Sequence, residues 1–106
     1  MMIALSIWER LFLLILLGQE KGTKEYISKV LKLIRSLDLT MEEAERIGYR
    51  VNDGVLEWQS EEWFEVEVDK ELFEEIVPNA IEKYSGWTPN DLSLIMEMCE
   101  RLEIGI

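Results

Sequence analysis

The longest apolar stretch of the chain lies near its start. Leucine, isoleucine and phenylalanine fill every position from Leu11 to Leu17, directly after the charged pair Glu9 and Arg10. A membrane-spanning helix needs about 20 predominantly apolar residues, so this run is too short to cross a bilayer. A signal peptide also fits poorly, because Glu9 offsets the positive charge that should precede the apolar segment. The pattern therefore predicts a helix inside the folded protein.

This first helix is expected from about Ala4 to Leu17, with Gly18 ending it. Its second half is apolar on nearly every side, and such a helix must be covered on nearly every side. Two arrangements meet that requirement. Either the helix is the central element of the domain, or another subunit covers its outer face.

Two further helices follow with local start signals. From Lys24 to Leu37 the apolar residues recur at helical spacing, and Thr23 is placed to cap the first turn. The apolar positions are Ile27, Val30, Leu31, Ile34 and Leu37. From Met41 to Ile47 a short helix is predicted, because Thr40 and Glu43 form a capping box and a glycine follows.

The segment YRVNDGVLEWQ predicts a β-hairpin. Its Asp53-Gly54 dipeptide is typical of a two-residue type I′ turn. That turn pairs Val51 with Leu56, Tyr49 with Trp58, and Arg50 with Glu57. One face then becomes apolar while the other carries an ion pair, which is the alternation that a hairpin requires. A bulged loop that also uses Asn52 is the alternative.

The residues after the hairpin alternate and predict a half-buried strand. Phe64, Val66 and Val68 fall on one face. Trp63, Glu65 and Glu67 fall on the other. This second set is either a small recognition patch or an outer face whose tryptophan is covered by a neighbouring loop.

A helix is predicted next, from Lys70 to Tyr84, with Asp69 as its cap. Pro78 lies inside it and either kinks one helix or separates two short ones.

The last helix is predicted from Pro89 to Glu103, with Thr88 as its cap. Its expected buried residues are Leu92, Ile95, Met96, Cys99 and Leu102. Leu94 and Met98 form a second apolar pair, which either widens the core face or meets a partner helix.

These elements predict one α+β domain over residues 1–106. About five helices pack on a small two- or three-stranded antiparallel sheet, in the order α-α-α-β-β-β-α-α.

Charge is distributed unevenly along the chain. The net charge is −11, with +2 in residues 1–39 and −13 in residues 40–106. Such a field repels nucleic-acid phosphates and anionic lipid headgroups, so an electrostatically chosen partner should be basic. One basic cluster stands apart, made of Lys24, Lys29, Lys32 and Arg35. It is a nucleic-acid contact or a solvated helix face, and the net charge favours the solvated face.

The sequence lacks the groups that most catalytic sites use. It contains no histidine, which removes the serine–histidine and cysteine–histidine pairings and most transition-metal sites. The single cysteine, Cys99, is expected to be a buried thiol, and one cysteine forms no internal disulfide. Carboxylates are abundant but lack the spacing of a calcium loop. We therefore expect a cytoplasmic, non-enzymatic protein without a cofactor, a metal or membrane contact.

Three functions are compatible with this pattern. The first is protein–protein interaction or self-association, because the apolar helix surface exceeds what one small sheet can cover. The candidate interaction residues are Leu11, Leu14, Leu94, Met98, Trp63, Glu65 and Glu67. The second is an acidic mimic that occupies a basic, nucleic-acid-binding partner through the carboxylates of residues 57–75. The third is a winged-helix nucleic-acid binder, against which the acidic recognition helix MEEAERI argues.

Four segments together resemble a group of small uncharacterised proteins of bacteriophages and prophages. They are LSIWERLFLLILLGQEKG, LDLTMEEAERIG, NDGVLEWQ and FEVEVDKELFEEIV. Members of that group open with an amphipathic helix, continue with an acidic capping-box helix and a glycine turn leading to a tryptophan, and close with two helices. Gly18 stands where the group has a proline, and Pro78 lies outside its pattern. The resemblance implies a phage-related origin and transfers no functional residue.

Overall fold

The computed structural model describes residues 1–48, 50–58 and 63–105. These residues form four strands, β1 (Met2–Ser6), β2 (Arg50–Asn52), β3 (Val55–Glu57) and β4 (Trp63–Glu67). They also form five helices, α1 (Ile7–Gly18), α2 (Lys24–Leu37), α3 (Met41–Ile47), α4 (Lys70–Lys83) and α5 (Pro89–Arg101). The predicted α+β class and the five helices are confirmed.

The chain begins with a strand that the sequence analysis assigned in part to the first helix. Residues 2–6 form β1, so the helix starts at Ile7 and not at Ala4. β1 pairs antiparallel with β4, and Ile3 lies opposite Val66. Ser6 ends the strand and caps α1, because its side chain accepts from the Glu9 N–H while the Glu9 carboxylate accepts from the Ser6 N–H.

The sheet is divided into two separate antiparallel ribbons. β1 pairs with β4, and β2 pairs with β3. In the second ribbon Asp53 and Gly54 have φ angles of 52° and 78°, as a type I′ turn requires. The predicted opposition of Val51 to Leu56 is confirmed, as is that of Arg50 to Glu57, so the bulged loop is wrong. The predicted partner of Trp58, Tyr49, lies outside the described residues.

Helix α1 is the central element of the fold. It packs against α2, α4, α5 and β1, and Leu13, Leu16 and Leu17 are almost fully buried. The apolar stretch is therefore covered by the chain's own elements except at Leu14, which is half-buried, and at Ile15, which is 41% exposed. In the part of the chain that the structure describes, no helix is long and apolar enough to cross a membrane.

Helix faces differ from the predicted ones at two positions. In α2, Leu31 is 45% exposed, whereas Leu33, which was not among the predicted apolar positions, is fully buried. In α5, Met96 is 52% exposed whereas Met98 is fully buried. In both helices the predicted stripe was placed slightly off the face that contacts the core.

Local capping chemistry was predicted well. The side chains of Thr23, Thr40, Asp69 and Thr88 each accept a backbone hydrogen bond in the first turn of the helix that follows. Helix α4 runs through Pro78 without interruption, so this proline does not separate two helices.

A buried arginine joins three helices. Arg10 in α1 is only 3% exposed, and its guanidinium donates to the Leu37 carbonyl at 2.7 Å and to the Asp38 carbonyl at 2.8 Å. These carbonyls lie at the C-terminal end of α2, where helix backbone acceptors have no partner within the helix. Arg10 therefore caps α2 from the side.

Candidate interaction groove

A concave surface of about 440 Å³ lies where α1, β4, α5 and the end of the hairpin meet. We call it the tryptophan groove, because it contains Trp8, Trp58 and Trp63. The junction of β1 and α1 adds Ser6 and Glu9, and α5 adds Leu94, Glu97 and Arg101. Its volume is in the range of about 300–1,000 Å³ that is typical of ligand pockets.

Trp63 lies on the outer face of β4. The strand alternation was predicted correctly: Phe64 and Val66 point into the core, whereas Trp63 is 55% exposed. Ser6 lies opposite Trp63 in the β1–β4 register. This pairing brings the end of β1 and the start of α1 to the same side of the groove.

Arg101 covers one face of the Trp63 ring. Its guanidinium carbon lies 4.7 Å from the ring centroid, which is the geometry of a cation–π contact. The same guanidinium donates to the two carboxylate oxygens of Glu9 at 2.6 and 3.1 Å, and to the Ala4 carbonyl at 3.2 Å. Arg101 is therefore fixed by α1 and β1 at the wall of the groove.

Glu9 is held from both sides. The residue is buried, and its carboxylate receives both Arg101 and the Ser6 N–H. A buried carboxylate is tolerated when it is paired and hydrogen-bonded in this way.

Desolvation, with the Glu9 charge as a second cause, raises the pKa of the Cys99 thiol on the buried face of α5. The predicted burial of Cys99 is confirmed.

Trp8 connects the groove to an aromatic cluster. Its ring stacks on Phe12 with centroids 4.8 Å apart. Phe12 in turn packs against Tyr84 and Trp87, whose rings meet edge to face at 5.0 Å. One face of Trp8 is therefore occupied, and the residue as a whole is half-buried.

Trp58 lies directly after the last strand of the hairpin and lines the groove. It follows β3 by one residue and is half-buried. The alternation along the hairpin assigns it to the same face as Val51, which is 60% exposed. The apolar face of the hairpin is therefore not buried in the core at Val51.

The groove contains only part of the predicted interaction surface. Trp63 and Leu94 line it, whereas Leu11 and Met98 are buried in the core, so assigning those two to an exposed surface was wrong. Leu14 is half-buried in α1. Glu65 and Glu67 are exposed on the outer face of β4, and Glu67 binds the N-terminal ammonium at 2.8 Å.

Six groove residues were not singled out from the sequence as interaction residues: Ser6, Trp8, Glu9, Trp58, Glu97 and Arg101. Glu9 and Arg10 are neighbours and were interpreted as offsetting one another. In the fold they face different partners, because Glu9 binds Arg101 and Arg10 binds Glu43. A detectable signal was the capping box that Ser6 forms with Glu9.

A smaller pocket of about 70 Å³ lies near the end of α1. There the Glu20 side chain is only 4% exposed, accepts from the Tyr26 hydroxyl at 2.8 Å and lies 3.9 Å from the Lys83 ammonium. Asn79 donates to the same hydroxyl at 2.9 Å. Burial is the main cause that raises the pKa of Tyr26. Since these polar groups satisfy one another, the cluster ties α1, α2 and α4 together.

The described residues contain no group of three or more Asp, Glu, Cys or His side chains placed to hold a metal ion. Comparisons with protein-family models, with curated proteins and with solved structures gave no match to the chain.

Proposed function

We propose that this chain is a non-enzymatic protein–protein interaction module, and that the tryptophan groove is its binding surface. One observation carries the proposal. Three tryptophans and an arginine line the same concave surface, and Trp63 is more than half exposed.

Tryptophan and arginine are the residues most enriched at the energetic centres of protein interfaces. A tryptophan contributes a large apolar area at a small cost in conformational entropy, and its indole N–H can still hydrogen-bond. An exposed Trp63 gains most of this energy only when a partner covers it. The groove also has a fixed shape, since Glu9 holds Arg101 and Phe12 supports Trp8. Preorganisation of this kind lowers the entropic cost of binding.

Self-association is a weaker form of the proposal. The predicted contact through Leu11 and Met98 has lost its basis, because both are buried within one chain. A dimer formed through the groove would also bring together two chains that each carry a net charge of −11.

An acidic mimic is the second candidate. Glu65 and Glu67 on β4 and Glu71, Glu74 and Glu75 on α4 are exposed, as such a mimic requires. Its binding would weaken steeply as salt is raised and would not depend on Trp63.

A winged-helix nucleic-acid binder is the least supported candidate. Helix α3 is seven residues long and exposes Glu42 and Glu45, which would repel phosphates. The basic residues of α2 are exposed, but Lys29 already lies 3.6 Å from Glu75.

The cytoplasmic location and the phage-related origin are part of the proposal as expectations from sequence. They contribute no residue to the groove.

The proposal can be tested with a displayed library of random peptides. Peptides are selected on the native protein and counter-selected on Trp63→Ala, which removes the exposed ring. Met96→Ala is the matched control, because Met96 is equally exposed but does not line the groove. We expect enriched peptides that bind the native chain and Met96→Ala but not Trp63→Ala. Failure to enrich any peptide that depends on Trp63 would refute the proposal.

A further inference from the structure

We infer that the tryptophan groove accepts an arginine or lysine side chain from a basic segment of the partner. This inference rests on the proposed function, because it assigns a chemistry to the segment that the groove binds. Three observations support it: a cation already on one tryptophan, a carboxylate with no counter-ion among the described residues, and the charge of the whole chain.

The first observation is the contact between Arg101 and Trp63. It demonstrates that the groove wall accommodates a guanidinium at 4.7 Å from an indole ring. Tryptophan has the most negative ring face of the aromatic side chains and attracts cations most strongly. Trp8 and Trp58 line the same groove, and no lysine or arginine of the described residues lies over either ring. Both residues are half-buried, and one face of Trp8 is stacked on Phe12, so the parts of the two rings that face the groove are where a cation from outside can bind.

The second observation is the balance of charge in the groove. Arg101 is matched by Glu9 in a two-bond ion pair. Glu97 is exposed on α5, lines the groove and makes no ion pair with any described residue. Its carboxylate can therefore bind the head of an incoming cationic side chain whose stem lies along an indole.

The third observation concerns the competing occupants. A carboxylate or phosphate would need Arg101, whose charge is already balanced by Glu9 and whose Nη1 and Nη2 atoms already donate to Glu9 and to the Ala4 carbonyl. A second copy of this chain would bring another net charge of −11 to the groove. A basic segment instead gains from the field of the whole molecule, which also accelerates its association.

The probe for this inference is a fluorescein-labelled peptide of alternating arginine and serine, compared with a peptide in which glutamine replaces every arginine. Binding to the native chain is followed by fluorescence anisotropy at low and at moderate salt. We expect the arginine peptide to bind about tenfold more tightly than the glutamine peptide, as one or two cation–π contacts beside a carboxylate would give.

Two charge-matched variants locate the contact. Glu97→Gln removes the groove carboxylate, and Glu82→Gln removes an exposed carboxylate of α4 that is outside the groove. We expect Glu97→Gln to weaken the arginine peptide about three- to tenfold and Glu82→Gln to leave it unchanged. Equal losses in the two variants, or equal affinity for both peptides, would overturn the inference.

The peptide selection described above separates this inference from the function on which it rests. Enriched peptides that need Trp63 and carry arginine or lysine support both. Enriched peptides that need Trp63 but lack a cationic residue overturn the inference and leave the interaction module in place. If the chain dimerises through Trp63 and binds none of the peptides, a second copy is the occupant of the groove. That result also overturns the inference.

Discussion

Arg10 and Glu43 meet through two parallel hydrogen bonds, each 2.9 Å from a guanidinium nitrogen to a carboxylate oxygen. Glu43 is also the capping-box residue of α3, and one of its oxygens accepts from the Thr40 N–H at 3.0 Å. Because Arg10 binds the end of α2 as well, this one pair determines how the short helix α3 is placed against α1 and α2. Two neighbouring helices are thus oriented by a single buried side chain.

Replacing Arg10 should therefore destabilise the fold strongly. Arg10→Met retains much of the side-chain volume but leaves Glu43 and the Leu37 and Asp38 carbonyls without their donor. We expect a loss of about 3 kcal/mol in the free energy of unfolding, measured by urea denaturation. Lys29→Met is the control, since it breaks an exposed pair with Glu75 and should cost less than about 0.5 kcal/mol. A similar effect of both substitutions would contradict the importance of the buried pair.

The same pair makes stability depend on acid. The hydrogen bonds from Arg10 are the largest cause that lowers the pKa of Glu43 from 4.5 to about 2. The folded state therefore holds the Glu43 proton less tightly than the unfolded state. The contribution of the ionised Glu43 carboxylate to the free energy of unfolding is complete above pH 4.5. It is lost as the pH falls from about 4.5 towards about 2.

This acid dependence can be measured as unfolding free energy against pH for the native chain and for Glu43→Gln. The variant should be less stable at pH 6, and the difference between the two proteins should shrink as the pH approaches 2. A difference that stays constant over this range would show that Glu43 does not carry the effect.

Two glycines should respond in opposite directions to the same substitution. Gly54 has a φ of 78° in the hairpin turn, so alanine there is strained although no atom obstructs its Cβ. We expect Gly54→Ala to cost about 1–2 kcal/mol. Gly18 ends α1 with open space around its Cβ position, and Gly18→Ala should stabilise by about 0.5–1 kcal/mol. Thermal unfolding of both variants tests the pair, and a common sign would contradict the backbone explanation.

Cys99 should be unreactive in the folded protein. It is buried, and desolvation raises the pKa of its thiol, so both access and thiolate formation are suppressed. A thiol reagent at pH 8 should label the native chain far more slowly than the chain in urea. Rapid labelling without denaturant would mean that α5 opens readily from the core.

The parts of the fold that were predicted from sequence depend on residues close together in the chain. The caps at Thr40 and Thr88 and the Asp53-Gly54 turn each involve groups within a few residues, so composition and order suffice to recognise them. The strand β1 was missed because the residues with which it pairs lie 57 to 65 positions away in the chain. Its alternation and the capping box from Ser6 to Glu9 were visible but were obscured by the apolar run that follows.

The groove could be anticipated only in part for the same reason. Trp63 was recognised as an apolar side chain on the polar face of its strand. Leu94 was recognised as an apolar side chain outside the main buried face of its helix. Their neighbours could not be assigned, since Trp8 and Arg101 come together only when the first and last helices pack. The exposure of Met96 and the burial of Met98 have a related cause. The rotation of α5 about its own axis is determined by packing against the core and not by the sequence of the helix alone.

The pairing of Ile3 with Val66 has a consequence for the order in which the chain acquires its structure during translation. At about 5–20 residues per second, the ribosome needs several seconds to deliver β4 after β1 has emerged. During that time Ile3 and Leu5 have no strand to join, while α2 and α3 can already form from local contacts. The nascent chain therefore exposes an unpaired apolar strand, which is prone to aggregation, until late in synthesis. This exposure ends when β1 pairs with β4.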